Sequence, residues 1–155
     1  MATRTQEILE AHERYLDARR RAERGEVGWD VLADFFTEDA VFIDPAWGRV
    51  DGREAILCFL RESMAGLEGW TFPQEWQLVE GDRLVTRWMN RLPGQRPDGS
   101  FYEAPGISVL TYAGGGRFSR EEDLLNMVHV VEVIRESGWK PGAGFTPPPE
   151  KPRRV

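Results

Sequence analysis

Residues 35–45 read Phe-Phe-Thr-Glu-Asp-Ala-Val-Phe-Ile-Asp-Pro, and the rest of the chain is placed around them. Ala40 to Asp44 is a short apolar strand by propensity. Pro45 has no backbone N–H and stops it. Upstream, Ile8, Ala11, Tyr15 and Ala18 recur at helical spacing, with Leu9 and Leu16 widening the stripe, so a helix is predicted over about residues 5–24. Arg19 to Arg21 lie in it among Glu10, Glu13, Asp17 and Glu23, the pattern of a solvated, ion-paired face. A second, short helix is expected near 29–37. Downstream, Asp51-Gly-Arg-Glu54 opens a third, with Asp51 as N-cap and Glu54 as its capping-box partner. Ile56, Phe59, Leu60, Met64 and Leu67 form its buried face.

From Trp70 the period changes toward two. Strands are predicted near 70–80, 83–92, 101–113 and 117–123, then a last helix over about 123–137 that ends at Gly138. The Gly114-Gly-Gly116 run joins two strands with no helix after it, so it reads as a turn and not as a phosphate loop. Helices early and strands late imply an α+β fold, with helices packed on one face of a curved antiparallel sheet. A bent sheet closed by helices makes a cone with one internal pocket. The domain spans residues 1–139. Residues 140–155 hold five of the ten prolines and form a Pro-rich tail.

Composition narrows the function. A chain of 155 residues with 41% hydrophobic residues suits one domain with one core. The formal charge of -6 disfavours nucleic acid as a partner. Cys58 is the only cysteine, so no intramolecular disulfide and no Cys-rich metal site can form. His12 and His129 have no partner at metal-ligand spacing. No apolar run is long enough for a membrane span. The charged N-terminus lacks the apolar stretch of a signal peptide, so a cytoplasmic location is expected. No metal and no cofactor is expected. Six Trp and eight Phe suit an aromatic-lined cavity for a flat, hydrophobic ligand.

Five positions could carry chemistry. Asp44 follows Phe42 by two, so both share one strand face. Asp44 either reaches the rim of an apolar cavity or caps the turn at Pro45, and spacing leaves both open. Glu121 and Asp123 share a face if the last strand runs through them, or are acids in the first turn of the last helix. Arg87 alternates with Val85 and Met89, and an Arg on an inward face would be the counter-ion of a buried carboxylate. Tyr15 lies on the apolar stripe of the first helix.

The run from Phe35 to Pro45, followed by Asp-Gly-Arg-Glu-Ala-Ile (51–56) and Gly-Arg-Phe-Ser-Arg-Glu-Glu-Asp (116–123), resembles the SnoaL-like branch of the NTF2-like superfamily over about residues 5–138. The resemblance implies a cone-shaped α+β barrel with one deep pocket, and a homodimer. The superfamily includes ketosteroid isomerases, polyketide cyclases, limonene-type epoxide hydrolases and non-enzymes. By resemblance, Asp44 matches an isomerase general base, Tyr15 an oxyanion donor, and Asp123 the acid of cyclases and epoxide hydrolases. The isomerase's second donor, and a cyclase His, fall on Ser108. Arg87 matches the epoxide hydrolase arginine, but the Asp expected two residues later is Met89. Phe42, Trp47, Phe59, Arg87, Met89, Ser108 and Glu121 are the expected substrate-binding residues.

The implied function is cofactor-free acid–base chemistry on a hydrophobic carbonyl compound: isomerisation, cyclisation or dehydration. The alternatives are a non-catalytic ligand-binding or dimeric interaction module, and an epoxide hydrolase. The dimer is expected to use the convex sheet face, with Trp76, Trp88 and Asn90 there. Neither nucleic acid nor membrane is an expected partner.

Overall fold

The first helix, α1 (Arg4–Glu23), starts where Thr3 and Gln6 form a reciprocal capping box. It buries Ile8, Ala11, Tyr15 and Leu16, the apolar stripe read from the sequence. The computed structural model describes residues 1–154. A 3-10 segment (Trp29–Phe35) stands where a short helix was expected, and β1 (Phe36–Asp44) begins directly after it. A short β2 (Gly48–Asp51) turns back on β1 and leads into α2 (Arg53–Met64).

The predicted cap at Asp51 is not formed. The N-cap of α2 is Gly52, whose φ of 90° suits a residue without Cβ. The Gly52 N–H donates to the Ala40 carbonyl, and Asp51 stays in β2, where its carboxylate pairs with Arg49 and Arg153.

β3 (Gln74–Glu80), β4 (Arg83–Gln95), β5 (Phe101–Gly114) and β6 (Arg117–Leu125) pair antiparallel in sequence order, as the alternation predicted. β3 starts later than residue 70 because Pro73 cannot donate to the ladder; only an isolated Thr71–Arg91 bridge precedes it. The full sheet has the order β2-β1-β6-β5-β4-β3. It is mixed, because β1 joins β6 in parallel, with Phe42 level with Glu121. That pairing sets the first and last strands side by side and fixes the site. Glu121 to Asp123 lie within β6, which settles them as strand residues. The last helix, α3 (Met127–Ser137), follows, capped by the Asn126 side chain and ended by left-handed Gly138.

Two apolar clusters hold these elements. One gathers Ile8, Tyr15, Leu16, Phe36, Phe42, Ile56, Phe59 and Phe118 between α1, α2 and the sheet. The other joins Trp70, Leu92 and Ala104 to Val130 and Val133 of α3. The tail folds back on this body without helix or strand. Gly142 N–H donates to the Gly66 carbonyl, Arg49 N–H to the Arg153 carbonyl, and Arg154 Nη1 to the Pro45 carbonyl at 2.7 Å. No helix among the described residues is long and apolar enough to cross a membrane.

Candidate active site

Between the two apolar clusters a cavity of about 220 Å³ opens. Its walls are mostly apolar: Trp29, Leu32, Phe42, Trp47, Phe59, Leu60, Trp70, Phe72 and Trp88. Three carboxyl groups, Asp44, Glu121 and Asp123, line it together with Tyr15, Arg19, Asn90 and Ser108.

Strand alternation puts Glu121 and Asp123 on the inner face of β6. Opposite them on β5, Leu110 is level with Glu121 and Ser108 with Asp123. The Tyr15 hydroxyl donates to Glu121 Oε2 at 3.0 Å. The Ser108 hydroxyl donates to Asp123 Oδ1 at 2.6 Å and accepts from Trp88 Nε1 at 2.9 Å. Glu121 and Asp123 lie two residues apart on this face, near enough that the charge of Glu121 bears on Asp123. Burial pushes Glu121 up to about 7; the hydrogen bonds from Asp123 and Tyr15, and then the charge of Arg19, hold it from rising further. Burial, then the neighbouring charge of Glu121, pushes Asp123 well above the ordinary carboxylate range. Two carboxyls that feel each other's charge cannot both ionise readily, so the pair retains a proton at pH values where exposed carboxylates have lost theirs.

Asp44 ends β1 on the same wall. Its Oδ1 accepts from the N–H groups of Ala46 and Trp47 at 2.8 and 2.7 Å. The two readings open in the sequence therefore both hold: the carboxylate caps the turn with one oxygen and lines the cavity. Burial raises its pKa, and the Trp47 and Ala46 amides oppose the rise. It is therefore the carboxyl of the three with amide donors to support its charged form.

Of the residues expected at the site, Phe42, Trp47, Phe59, Ser108 and Glu121 line the cavity together with Tyr15, Asp44 and Asp123. Arg87 and Met89 do not. On β4 the inward set is Leu84, Thr86, Trp88, Asn90 and Leu92; Val85, Arg87, Met89 and Arg91 point the other way. Arg87 instead donates to Glu75 at 2.7 Å on the outer face, half-exposed in water. For the same reason Trp88 and Asn90 are not on the convex face; both are buried against the cavity. Tyr15 is also corrected in part. Its hydroxyl proton is committed to Glu121 and is not free to meet a ligand oxygen.

The cation near the acids is Arg19, which the sequence reading placed on the solvated face. Arg20 and Arg21 are there, paired with Glu13, Asp17 and Glu26. Arg19 turns inward and donates to the Phe72 carbonyl at 2.6 Å, while Glu23 accepts from the Phe72 N–H at 2.9 Å. The signal was present: Arg19 lies four residues after Tyr15, on the same helical face.

A sequence profile of the SnoaL-like domain matches residues 12–121. No curated protein matches the chain. Among solved structures, one described as a SnoaL-like polyketide cyclase from Jannaschia sp. CCS1 is 20% identical, with a TM-score of 0.62, over 83% of this chain and 91% of that one. A protein with a ketosteroid isomerase-like fold from Catenulispora acidiphila, in complex with trimethylamine, is 20% identical with a TM-score of 0.62, over 82% and 97%. An epoxide hydrolase of the LEH-like type from M. tuberculosis is 16% identical with a TM-score of 0.64, over 84% and 90%. At these identities the likeness is one of fold.

The raised pKa of Glu121 has a consequence for stability. Below pH 4.5 the Glu121 carboxyl is protonated in both folded and unfolded chains and adds no difference. Between 4.5 and about 7 the unfolded chain releases the proton while the folded one keeps it, so stability falls as pH rises. Above about 7 the loss is complete. Asp123, also raised, acts in the same direction. Glu121→Gln, neutral throughout, should flatten the fall across that window in urea titrations at a series of pH values. Parent and variant curves that stay parallel would show that Glu121 keeps its ordinary pKa.

Proposed function

The chain belongs to the SnoaL-like family, and on that premise we propose that it is a small-molecule enzyme performing cofactor-free acid–base chemistry on a hydrophobic carbonyl compound in this cavity. The observation that carries the reading is the convergence of three carboxyls, Glu121 buried and Asp44 and Asp123 partly so, on one apolar-walled space. Asp44, supported as a carboxylate by two amides, is the general base that takes a proton from the carbon beside the ligand carbonyl. The proton shared by Asp123 and Glu121 is the acid that meets the charge developing on the carbonyl oxygen. Tyr15 and the Trp88–Ser108 pair orient those two carboxyls from either side. Proton abstraction followed by reprotonation serves isomerisation, cyclisation or dehydration equally, so the substrate sets which one occurs.

A second reading draws on Asp44 itself. Because its Oδ1 holds the turn at Ala46 and Trp47, the same residue suits a non-catalytic binding protein. The epoxide hydrolase reading loses its arginine, since Arg87 lies outside the cavity.

Turnover on a panel of apolar ketones, enones and epoxides separates these readings. Asp44→Asn keeps shape and should lower kcat by roughly 10²–10⁴-fold, the usual contribution of a general base. Asp123→Asn should fall comparably, with the fold intact by circular dichroism. Activity in Asp44→Asn equal to the parent would remove Asp44 as the base.

We also propose a homodimer built on the outer sheet face. Trp76 and Leu78 on β3, 43% and 66% exposed, share that face with Val85, Met89, Ile107, Val109 and Leu124. An apolar face of this extent is the mark of an interaction surface. Sedimentation should give twice the 17.7 kDa of one chain, and Leu78→Asp should shift it toward the monomer. A parent that sediments as a monomer at micromolar concentration would overturn the dimer.

A further inference from the structure

Three buried polar atoms of cavity-lining residues have no hydrogen-bond partner among the described residues; one, Arg19 Nε, lies 3.8 Å from the Glu23 carboxylate, and the other two belong to Asn90 and Trp70. Asn90, 8% exposed on the inner face of β4, forms no side-chain hydrogen bond among the described residues, and its Oδ1 is sealed from solvent. Trp70, 5% exposed, leaves its indole Nε1 unpartnered in the same way. Both line the cavity, and the Thr71–Arg91 bridge brings their segments side by side. Folded proteins leave few buried polar groups unpaired, and two at one end of one cavity call for a reason.

Their position along the sheet gives it. Thr86 is level with Ser108, and Ser108 with Asp123. Asn90 lies four residues beyond Thr86, about 13 Å away at roughly 3.3 Å per strand residue. Trp88 occupies the stretch between. Its indole lies against Gly106, where an added Cβ would come within 2.8 Å of the ring. The indole N–H is already bonded to Ser108. The cavity thus has an acid end, a flat aromatic middle and a second polar end.

We propose that the Asn90–Trp70 end is a subsite for a hydroxyl group, carried on a flat aromatic substrate at the end remote from its reacting carbonyl. A hydroxyl both donates and accepts, so it pairs with the Asn90 amide whichever way the amide is turned, and it can accept from an indole N–H as well. The subsite rests on the reading of this cavity as a small-molecule site, and it names the class of molecule that site takes.

Biphenyl-4-ol and biphenyl-4,4′-diol test it, since they differ only in a second hydroxyl at the far end of a rigid flat frame. Titrated against the full chain by calorimetry, the diol should bind about tenfold more tightly than the mono-ol. Asn90→Leu should bring the two Kd values together. It should also raise the Tm of the free protein, because an unpartnered buried amide gives way to an apolar group of similar size. Trp70→Phe, which removes the N–H and keeps a ring, should narrow the gap independently of any effect of the Asn90 change on folding. Equal affinities for the two phenols in the parent would overturn the subsite alone. Binding of neither would overturn it together with the small-molecule reading of the cavity. A fall in Tm with Asn90→Leu would assign Asn90 to the fold instead.

Discussion

Two acidic side chains on the inner face of β6 are the constraint around which this molecule is organised. Water would solvate both Glu121 and Asp123 fully; an apolar cavity solvates neither. The structure answers by favouring the protonated form of the pair and by placing donors on either side, Tyr15 from α1 and Ser108 from β5. Trp88 in turn fixes Ser108. Helix, three strands and both carboxyls are thereby tied through hydrogen bonds that would be left unmet if any one element shifted. A fully paired network of this kind tolerates burial, whereas a partly paired one would be costly.

The cavity follows from how the two apolar clusters divide the interior. α1 and α2 cover one end of the sheet and α3 covers the other. The parallel pairing of β1 with β6 then sets Phe42 level with Glu121, so the end of β1 delivers Asp44 to the wall where the acid pair already sits. The tail reaches the same turn, since Arg153 and Arg154 bond the backbone at Arg49 and Pro45. The base and the acid thus come from adjacent strands whose positions are separately anchored.

Much of this was legible in the sequence, and the exceptions share a cause. Local periodicity was sufficient for α1 and for the four-strand run, while it left Glu121 and Asp123 open between strand and helix; β6, which runs through to Leu125, makes them strand residues. The parity of β4 was not legible, because both of its faces carry apolar residues. Val85 and Met89 made the side they share with Arg87 read as the inner one, whereas Leu84 and Leu92 mark the inner side. The cross-strand partner that draws Arg87 outward, Glu75, is set by a register irregularity between Gln74 and Trp76 that no alternation rule reveals. Arg19 was hidden by its neighbours: two of three consecutive arginines are solvated, and only helical phase singles out the third. At Asp51 the local capping pattern was present, but ion pairs with Arg49 and with the distant Arg153 took the side chain elsewhere. In each case a contact remote in sequence outweighed a local preference.

The retained proton is the feature on which the stability and the proposed chemistry both turn, and it can be observed directly. Side-chain carboxyl ¹³C shifts, followed by NMR across a pH titration and assigned with Glu121→Gln and Asp123→Asn, report the protonation of each group. The account predicts a first step near pH 7 for Glu121, a step well above the ordinary carboxylate range for Asp123, and a change in each when the other is replaced. Independent titration of both carboxyls at about pH 4, the range of exposed carboxylates, would contradict it.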